Sequence, residues 1–195
     1  MPTATARSSA SWASRVSEVA ALTLPSGAVQ ALCRELPRAP GLDAAMQVIE
    51  RVRQALLGDG LLTVNQVEWP DEGAQAETID LQRIWSSRPV EYPVAGRKRK
   101  QLTPWTRQLL LSSEIFLGEG PAALAQVFDD NGLILSMGLQ SVMNVPLVGA
   151  DGRCFATFNV LGTRAQWSAG EKLQIEMLAG FARSFVAGHV ERHPA

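Results

Sequence analysis

Apolar and polar positions along this chain change period several times, and each change marks an element. Over 41–57 the apolar letters fall at Leu42, Ala45, Met46, Ile49, Val52 and Leu56, the three-and-four spacing of an amphipathic helix. Gly58-Asp59-Gly60 ends it. Upstream, Trp12, Val16, Val19 and Ala20 set a shorter helical stripe over 10–22, stopped by Leu24-Pro25-Ser26-Gly27. A further helical piece over 28–36 ends before Pro37 and Pro40, because a residue preceding proline is biased out of the helical region. Residues 61–69 and 78–85 read as neighbouring strands, separated by the acidic, glycine-containing PDEGAQAE.

The next 20 residues, SSRPVEYPVAGRKRKQLTPW, lose all periodicity and hold three prolines and a basic run. Loops of that length tend to be functional lids or else disordered. The apolar QLLLSSEIFLGEG that follows supplies a strand, and Pro121 opens a helix over 121–130, where a first-turn residue can spare its N–H. Asn131-Gly132 breaks that helix and 133–137 form a short turn. Around Gly149-Ala150-Asp151-Gly152 the period returns to two on both sides, which predicts an antiparallel hairpin over 141–162. The last helix starts at a Ser168-x-x-Glu171 capping box, carries Leu173, Met177, Leu178, Phe181 and Phe185 on its inner side, and runs out near His189. Without regular strand-helix-strand alternation, the natural solution is an α+β domain, an antiparallel sheet flanked by helices.

Composition narrows the class. A chain of 195 residues fits one domain, with 41–190 as the compact unit and 1–40 as a tail and helices that pack on it or on a partner subunit. Eighteen basic against 19 acidic residues remove the electrostatic warrant for nucleic acid. No apolar run approaches the roughly 20 residues that span a bilayer, so no membrane partner is expected. The start, MPTATARSSASWASR, overlaps in composition with organelle transit peptides, but a frayed tail is the simpler reading. Cys33 and Cys154 lie far apart without metal-ligand spacing and read as buried thiols in a reducing, cytoplasmic setting.

Several stretches together resemble a known family. Phe128-Asp129-Asp130, then 138–147 (GLQSVMNVPL), then 152–162, then Trp167-Ser168-Ala169-Gly170-Glu171 are similar to the GAF domains, small-molecule sensory folds related to the PAS domains. The resemblance covers about 41–187 in element order, with its specific letters mainly after 115. It implies a central antiparallel sheet of about five or six strands, helices on one face that pair with another subunit, and a ligand cavity on the other face roofed by loops. The cyclic-nucleotide signature, an Asn-Lys-x-x-Asp-Glu pattern, is not met, since this chain reads Asn159-Val160-Leu161-Gly162. Two distant cysteines do not reproduce the sulfoxide-reductase set, and both histidines, His189 and His193, sit at the C-terminal tail, away from any bilin.

The candidate ligand-binding residues lie on the long loop and the strands beside it. Arg83 and Trp85 share a face with Ile79 and Leu81 by period two; Arg83 either extends its charge to solvent over that surface or meets a ligand. Tyr92, Lys98, Trp105 and Arg107 alternate aromatic and cationic groups, a set able to clamp a planar anion. Arg97-Lys98-Arg99-Lys100 is otherwise a solvated charge run, but Tyr92, Pro93, Pro104 and Trp105 are costly to leave in water, so the loop is expected to fold over the sheet. Phe116 reads as core or lining, and Ser141 as an inward hydroxyl or a local backbone partner. Asn144 either ties its strand to a neighbouring loop or points into the pocket; the tie is favoured, and Asn159 is read the same way. No nucleophile-base pair, metal cluster or phosphate-cradling loop stands out, so no enzyme and no cofactor are expected. The expected function is a sensory module for a small anionic or aromatic metabolite, roofed by 88–107 and signalling through protein contacts as a homodimer. A ligand-free dimerisation scaffold is the alternative.

Overall fold

The structure, a computed structural model, describes residues 24–70 and 78–193. The helix expected at 10–22 and the acidic connection after Pro70 lie outside the described residues. Helix α1 (Ser26–Gln30) runs on through a wide turn, Ala31–Glu35, and a tight one, Leu36–Arg38. Helix α2 (Leu42–Leu57) follows its apolar stripe, burying Leu42, Ala45, Met46, Ile49 and Val52. It stops at Gly58, whose φ of 79° suits glycine best.

Six strands follow in chain order: β1 (Gly60–Glu68), β2 (Thr78–Ser86), β3 (Arg97–Gln101), β4 (Phe116–Glu119), β5 (Ser141–Val148) and β6 (Cys154–Gly162). They form one sheet in the order β3-β2-β1-β6-β5-β4, every pair antiparallel. Between β3 and β5 lie α3 (Pro104–Thr106), a wide turn at Arg107–Leu111, α4 (Pro121–Val127) and α5 (Asn131–Ser136). Helix α6 (Ala169–Arg192) closes the described chain, with both halves of the Ser168/Glu171 capping box formed.

The sheet separates two apolar layers. On one face α1, α2 and α6 cover Leu62, Val64, Met143, Val145, Phe158 and Val160. On the other, the segment from Tyr92 to Leu139 covers two smaller clusters, one around Leu61, Val142 and Leu161 and one around Val67, Leu81 and Trp105. The covering segment is built by necessity, since a two-layer sandwich leaves the second sheet face in water unless loops and short helices bury it.

Four expectations are corrected here. Cys154 is buried but Cys33 is exposed, because the wide turn at Ala31–Glu35 buries Ala31 and Leu32 and turns the thiol outward. The 88–107 stretch is not wholly irregular, because its basic run forms the edge strand β3; lysine and arginine are tolerated on an edge, where they also discourage pairing with another chain. The helix opened by Pro121 ends at Val127, before Asn131-Gly132, and the stretch expected as a turn belongs to α5, which Ile134 anchors by burial, so packing overrides the weak local propensity. The inner face of α6 is Ile175, Leu178, Ala179, Ala182 and Val186, while Leu173 and Phe181 are 41% and 39% exposed. Small alanines face inward because α2 crosses α6 closely there, and the bulkier side chains are turned out.

Candidate functional site

The register of β2 decides which of its side chains reach the covered face. Val64 pairs with Trp85 but Asn65 pairs with Arg83, so Ile84 is an extra residue, a β-bulge. Arg83 therefore stays with Ile79 and Leu81 under the cover. Trp85 crosses to the helix layer, packs in that core and donates its indole N–H to Asp43 at 3.1 Å. The shared face expected for Arg83 and Trp85 is thus corrected, since a bulge shifts the two-residue period by one.

On β3, Lys98 and Lys100 pair with Leu81 and Ile79 and point to the same covered side. Each of the four cations of the run meets a carboxylate: Arg97 with Glu68 at 2.8 Å, Lys98 with Asp130 at 2.8 Å, Arg99 with Asp80 at 2.9 Å, and Lys100 with Asp129 at 2.9 Å. The two lysine pairs strap β3 to the start of α5. Asp130 has a pKa below the ordinary carboxylate value: burial opposes ionisation, but the bonded Lys98 ammonium outweighs it.

Between sheet and cover lies a cavity of about 50 Å³, lined among others by Arg83, Tyr92, Lys98, Trp105, Asp130 and Asn144. A volume of that order holds a few waters or a ligand of a few atoms. Arg83 is 8% exposed; its guanidinium stands 4.8 Å from the Tyr92 ring centroid and donates to the Pro93 carbonyl at 3.1 Å. Burial lowers its pKa and raises that of Tyr92. The Arg83 Nε, the Tyr92 hydroxyl and the Asp130 Oδ1 are buried without a hydrogen-bond partner; the Tyr92 hydroxyl faces Asp130 without closing a well-formed bond to it.

The asparagines form the cavity floor. Trp105 Nε1 donates to Asn144 Oδ1 at 3.1 Å, Asn144 Nδ2 donates to Asn159 Oδ1 at 2.8 Å, and Asn159 Nδ2 donates to Thr157 Oγ1 at 3.1 Å and to the Thr63 carbonyl at 3.3 Å. Asn144 ties its strand to the cover and also lines the cavity, so the two alternatives coexist in one side chain. Trp105 meets Phe128 and Phe116 edge-on, at 6.1 and 6.5 Å between ring centroids.

Five candidate residues thus converge on the cavity: Arg83, Tyr92, Lys98, Trp105 and Asn144. Phe116 instead lines an open groove of about 750 Å³ on the far side of Trp105 and Lys100. Arg107 is exposed on the wide turn after α3, outside both spaces, because a helical turn directs it away from the neighbouring Trp105 and Thr106 that are buried. Ser141 alternates with Val142 and so shares the helix-layer side with Met143 and Val145; its hydroxyl is buried there without a partner. The residues that sequence reasoning passed over are Lys100 and Asp130. Their signal was present as complementary charge, an acidic pair at 129–130 against cations spaced by two at 98 and 100.

In sequence, the chain matches no protein-family model and no curated protein. In structure it resembles several GAF domains. A GAF domain of a phosphoenolpyruvate-protein phosphotransferase from Coxiella burnetii superposes with a TM-score of 0.59 at 10% identity, over 85% of this chain and 94% of that one. The phycocyanobilin-bound GAF domain of a cyanobacterial phytochrome gives 0.54 at 15% identity, over 87% and 97%. The chain has a GAF fold. The GAF likeness extends to the chromophore-binding domain of a bacteriophytochrome from R. palustris, with a TM-score of 0.56 at 14% identity over 86% of this chain, which spans 62% of that domain. The six-stranded antiparallel sheet with helices on one face and a loop-built cover on the other is the architecture the resemblance implied. The GAF-fold chain has no helix among its described residues long and apolar enough to cross a membrane.

Proposed function

We propose that this GAF-fold chain is a sensory module that binds a small anionic metabolite in the cavity beneath the 88–107 cover and passes the signal on through protein contacts. The observation that carries this reading is the charge of the lining: Lys98 and Lys100 are paired with Asp130 and Asp129, and the buried Arg83 guanidinium, which forms no ion pair among the described residues, leaves one positive charge in excess. Excess positive charge at a partly desolvated site is costly when empty and favours an anion. The cavity volume of about 50 Å³ argues for a ligand of few atoms and against an aromatic ring or a tetrapyrrole. Cys154 gives no support to covalent attachment, because burial pushes its thiol up to about 12 and it donates to the Ala156 carbonyl at 3.2 Å.

Thermal melts against a panel of small organic and inorganic anions at fixed ionic strength test the reading. Binding at 100 times Kd adds about 2.7 kcal/mol of stability, which raises Tm by several degrees for a domain of this size. Arg83→Gln should remove that rise while leaving a folded protein. A panel in which every anion leaves Tm unchanged would refute the proposal.

A second reading, a dimerisation scaffold, is favoured by the outer face of α6. Leu173, Met177 and Phe181 recur there at four-residue spacing with the first and last exposed, and nothing lies within 4 Å of a Cβ placed at the adjacent Gly180. Such a face fits a second copy of the chain related by two-fold symmetry. Light scattering should give a dimer that Phe181→Glu converts to a monomer; a wild-type protein that stays monomeric at high concentration excludes it.

A further inference from the structure

The cavity is charged, and it also contains polar atoms left unused by the fold. Two are donors: the Arg83 Nε and the Tyr92 hydroxyl, on side chains that are 8% and 6% exposed. One is an acceptor, the Asp130 Oδ1, whose sister oxygen already takes the Lys98 ammonium at 2.8 Å. A buried polar atom without a partner costs on the order of 1–3 kcal/mol, so three around one space describe what the space should hold. Simple oxyanions such as nitrate or formate satisfy only the donors, and they bring a second negative charge up to an unpaired carboxylate oxygen. The Tyr92 hydroxyl faces Asp130 without bonding to its Oδ1, and a monoanion that also carries one O–H satisfies all three when seated between them: its hydroxyl donates to Asp130 while its carboxylate oxygens accept from Arg83 and Tyr92.

We infer that the ligand is a hydroxylated monoanion of about five non-hydrogen atoms or fewer, with two acceptor oxygens and one O–H donor. Hydrogencarbonate and the smallest 2-hydroxy carboxylate, glycolate, share this chemistry. The upper size follows from the cavity of about 50 Å³, a few water-sized volumes. The inference rests on the anion-sensing reading above and deepens it: the cationic lining selects for charge, and the unpaired Asp130 oxygen selects for the hydroxyl. Sites built to hydrogen-bond a ligand hydroxyl reject analogues lacking it far more strongly than apolar pockets discriminate by size.

Titration calorimetry of the full chain with hydrogencarbonate, glycolate, formate and nitrate, at constant pH and ionic strength, tests it. The expected result is that hydrogencarbonate or glycolate binds at least about tenfold more tightly than formate and nitrate, and the two hydroxylated probes against each other identify the source. Asp130→Asn, which removes the charge and offers an amide donor in place of a pure acceptor, should erase that preference by improving nitrate and weakening the hydroxylated ligand. Tyr92→Phe should weaken all four and leave the preference intact. Comparable affinity for all four anions, or a preference that survives in Asp130→Asn, overturns this inference while leaving an anion-sensing domain standing. No binding by any of the four overturns both. Should Asp130→Asn fail to fold, the selectivity of the unaltered chain decides by itself.

Discussion

Asn144 and Asn159 are the kind of buried amides that a sheet keeps only when every group is matched. Asn144 accepts from Trp105 and donates to Asn159, which in turn donates to β1 and to Thr157, so one chain of hydrogen bonds runs from the cover to the strands in the middle of the sheet. Truncating Asn144 to alanine orphans both the Trp105 indole N–H and the Asn159 Oδ1, and a loss of about 2–4 kcal/mol is expected in urea unfolding. The double change with Asn159→Ala should cost clearly less than the sum of the singles, since they share a bond; additive losses would show the network to be energetically idle. Asp130 gives a prediction of opposite kind, in pH. Its folded-state pKa lies below the ordinary 3.8, so the stability it contributes is complete above that value and is lost as pH falls through the lower folded value. Between about pH 5 and pH 3 the Asp130→Asn protein should therefore lose less stability than the unaltered chain, and equal losses would count against the Lys98 pairing.

Elements with a strong local signal were readable, and those fixed by their neighbours were not. The hairpin over 141–162, helix α2 and the capped start of α6 each announce themselves by period or by a cap, and each forms where expected. The bulge at Ile84 leaves no mark in the sequence, because the extra residue is defined only against the partner strand β1. The outward turn of Leu173 and Phe181 was also illegible, since a helix apolar on most sides does not say which side its partner takes. Two element junctions give sharp tests. Within α2, Arg53 is completely buried, bonded to both Glu50 oxygens at 2.6 and 2.8 Å and to the Gly58 carbonyl that ends the helix at 3.1 Å. Glu50→Ala leaves that guanidinium buried without its counter-ion and should cost about 3–5 kcal/mol. At the end of β6, a Cβ on Gly162 would lie 2.3 Å from the Trp167 ring that caps the strand. Gly162→Ala should cost about 1–3 kcal/mol through overpacking, and a neutral melt would mean the indole moves freely.

For the whole molecule, the lack of regular strand-helix-strand alternation sufficed to read an antiparallel sheet flanked by helices, and the resemblance to GAF domains put the helices on one face, whereas the site came through only in part. Tyr92 and Trp105 were legible because aromatic residues in a long loop are costly to leave in water, Lys98 because it lies between them, and Arg83 and Asn144 because a charge and an amide interrupt apolar strands; Asp130 was not, because its partner lies more than 30 positions away and nothing local marks it as buried. That asymmetry reflects how the molecule is divided. The helix layer is one continuous apolar core, while the cover is held by two small clusters, two lysine-carboxylate straps and one indole-amide bond. Segments held by few buried contacts open at lower free energy than the global transition, so β3 and α5 should exchange amide hydrogens faster than α2 and the buried part of α6. If opening the cover releases the anion, saturating ligand at 100 times Kd must slow exchange in residues 97–101 and 131–136 by about a hundredfold. Exchange there that does not respond to a ligand which binds would mean the anion enters without the cover moving, and the signal would then have to leave by the Asn144–Asn159 bond through the sheet rather than by the cover.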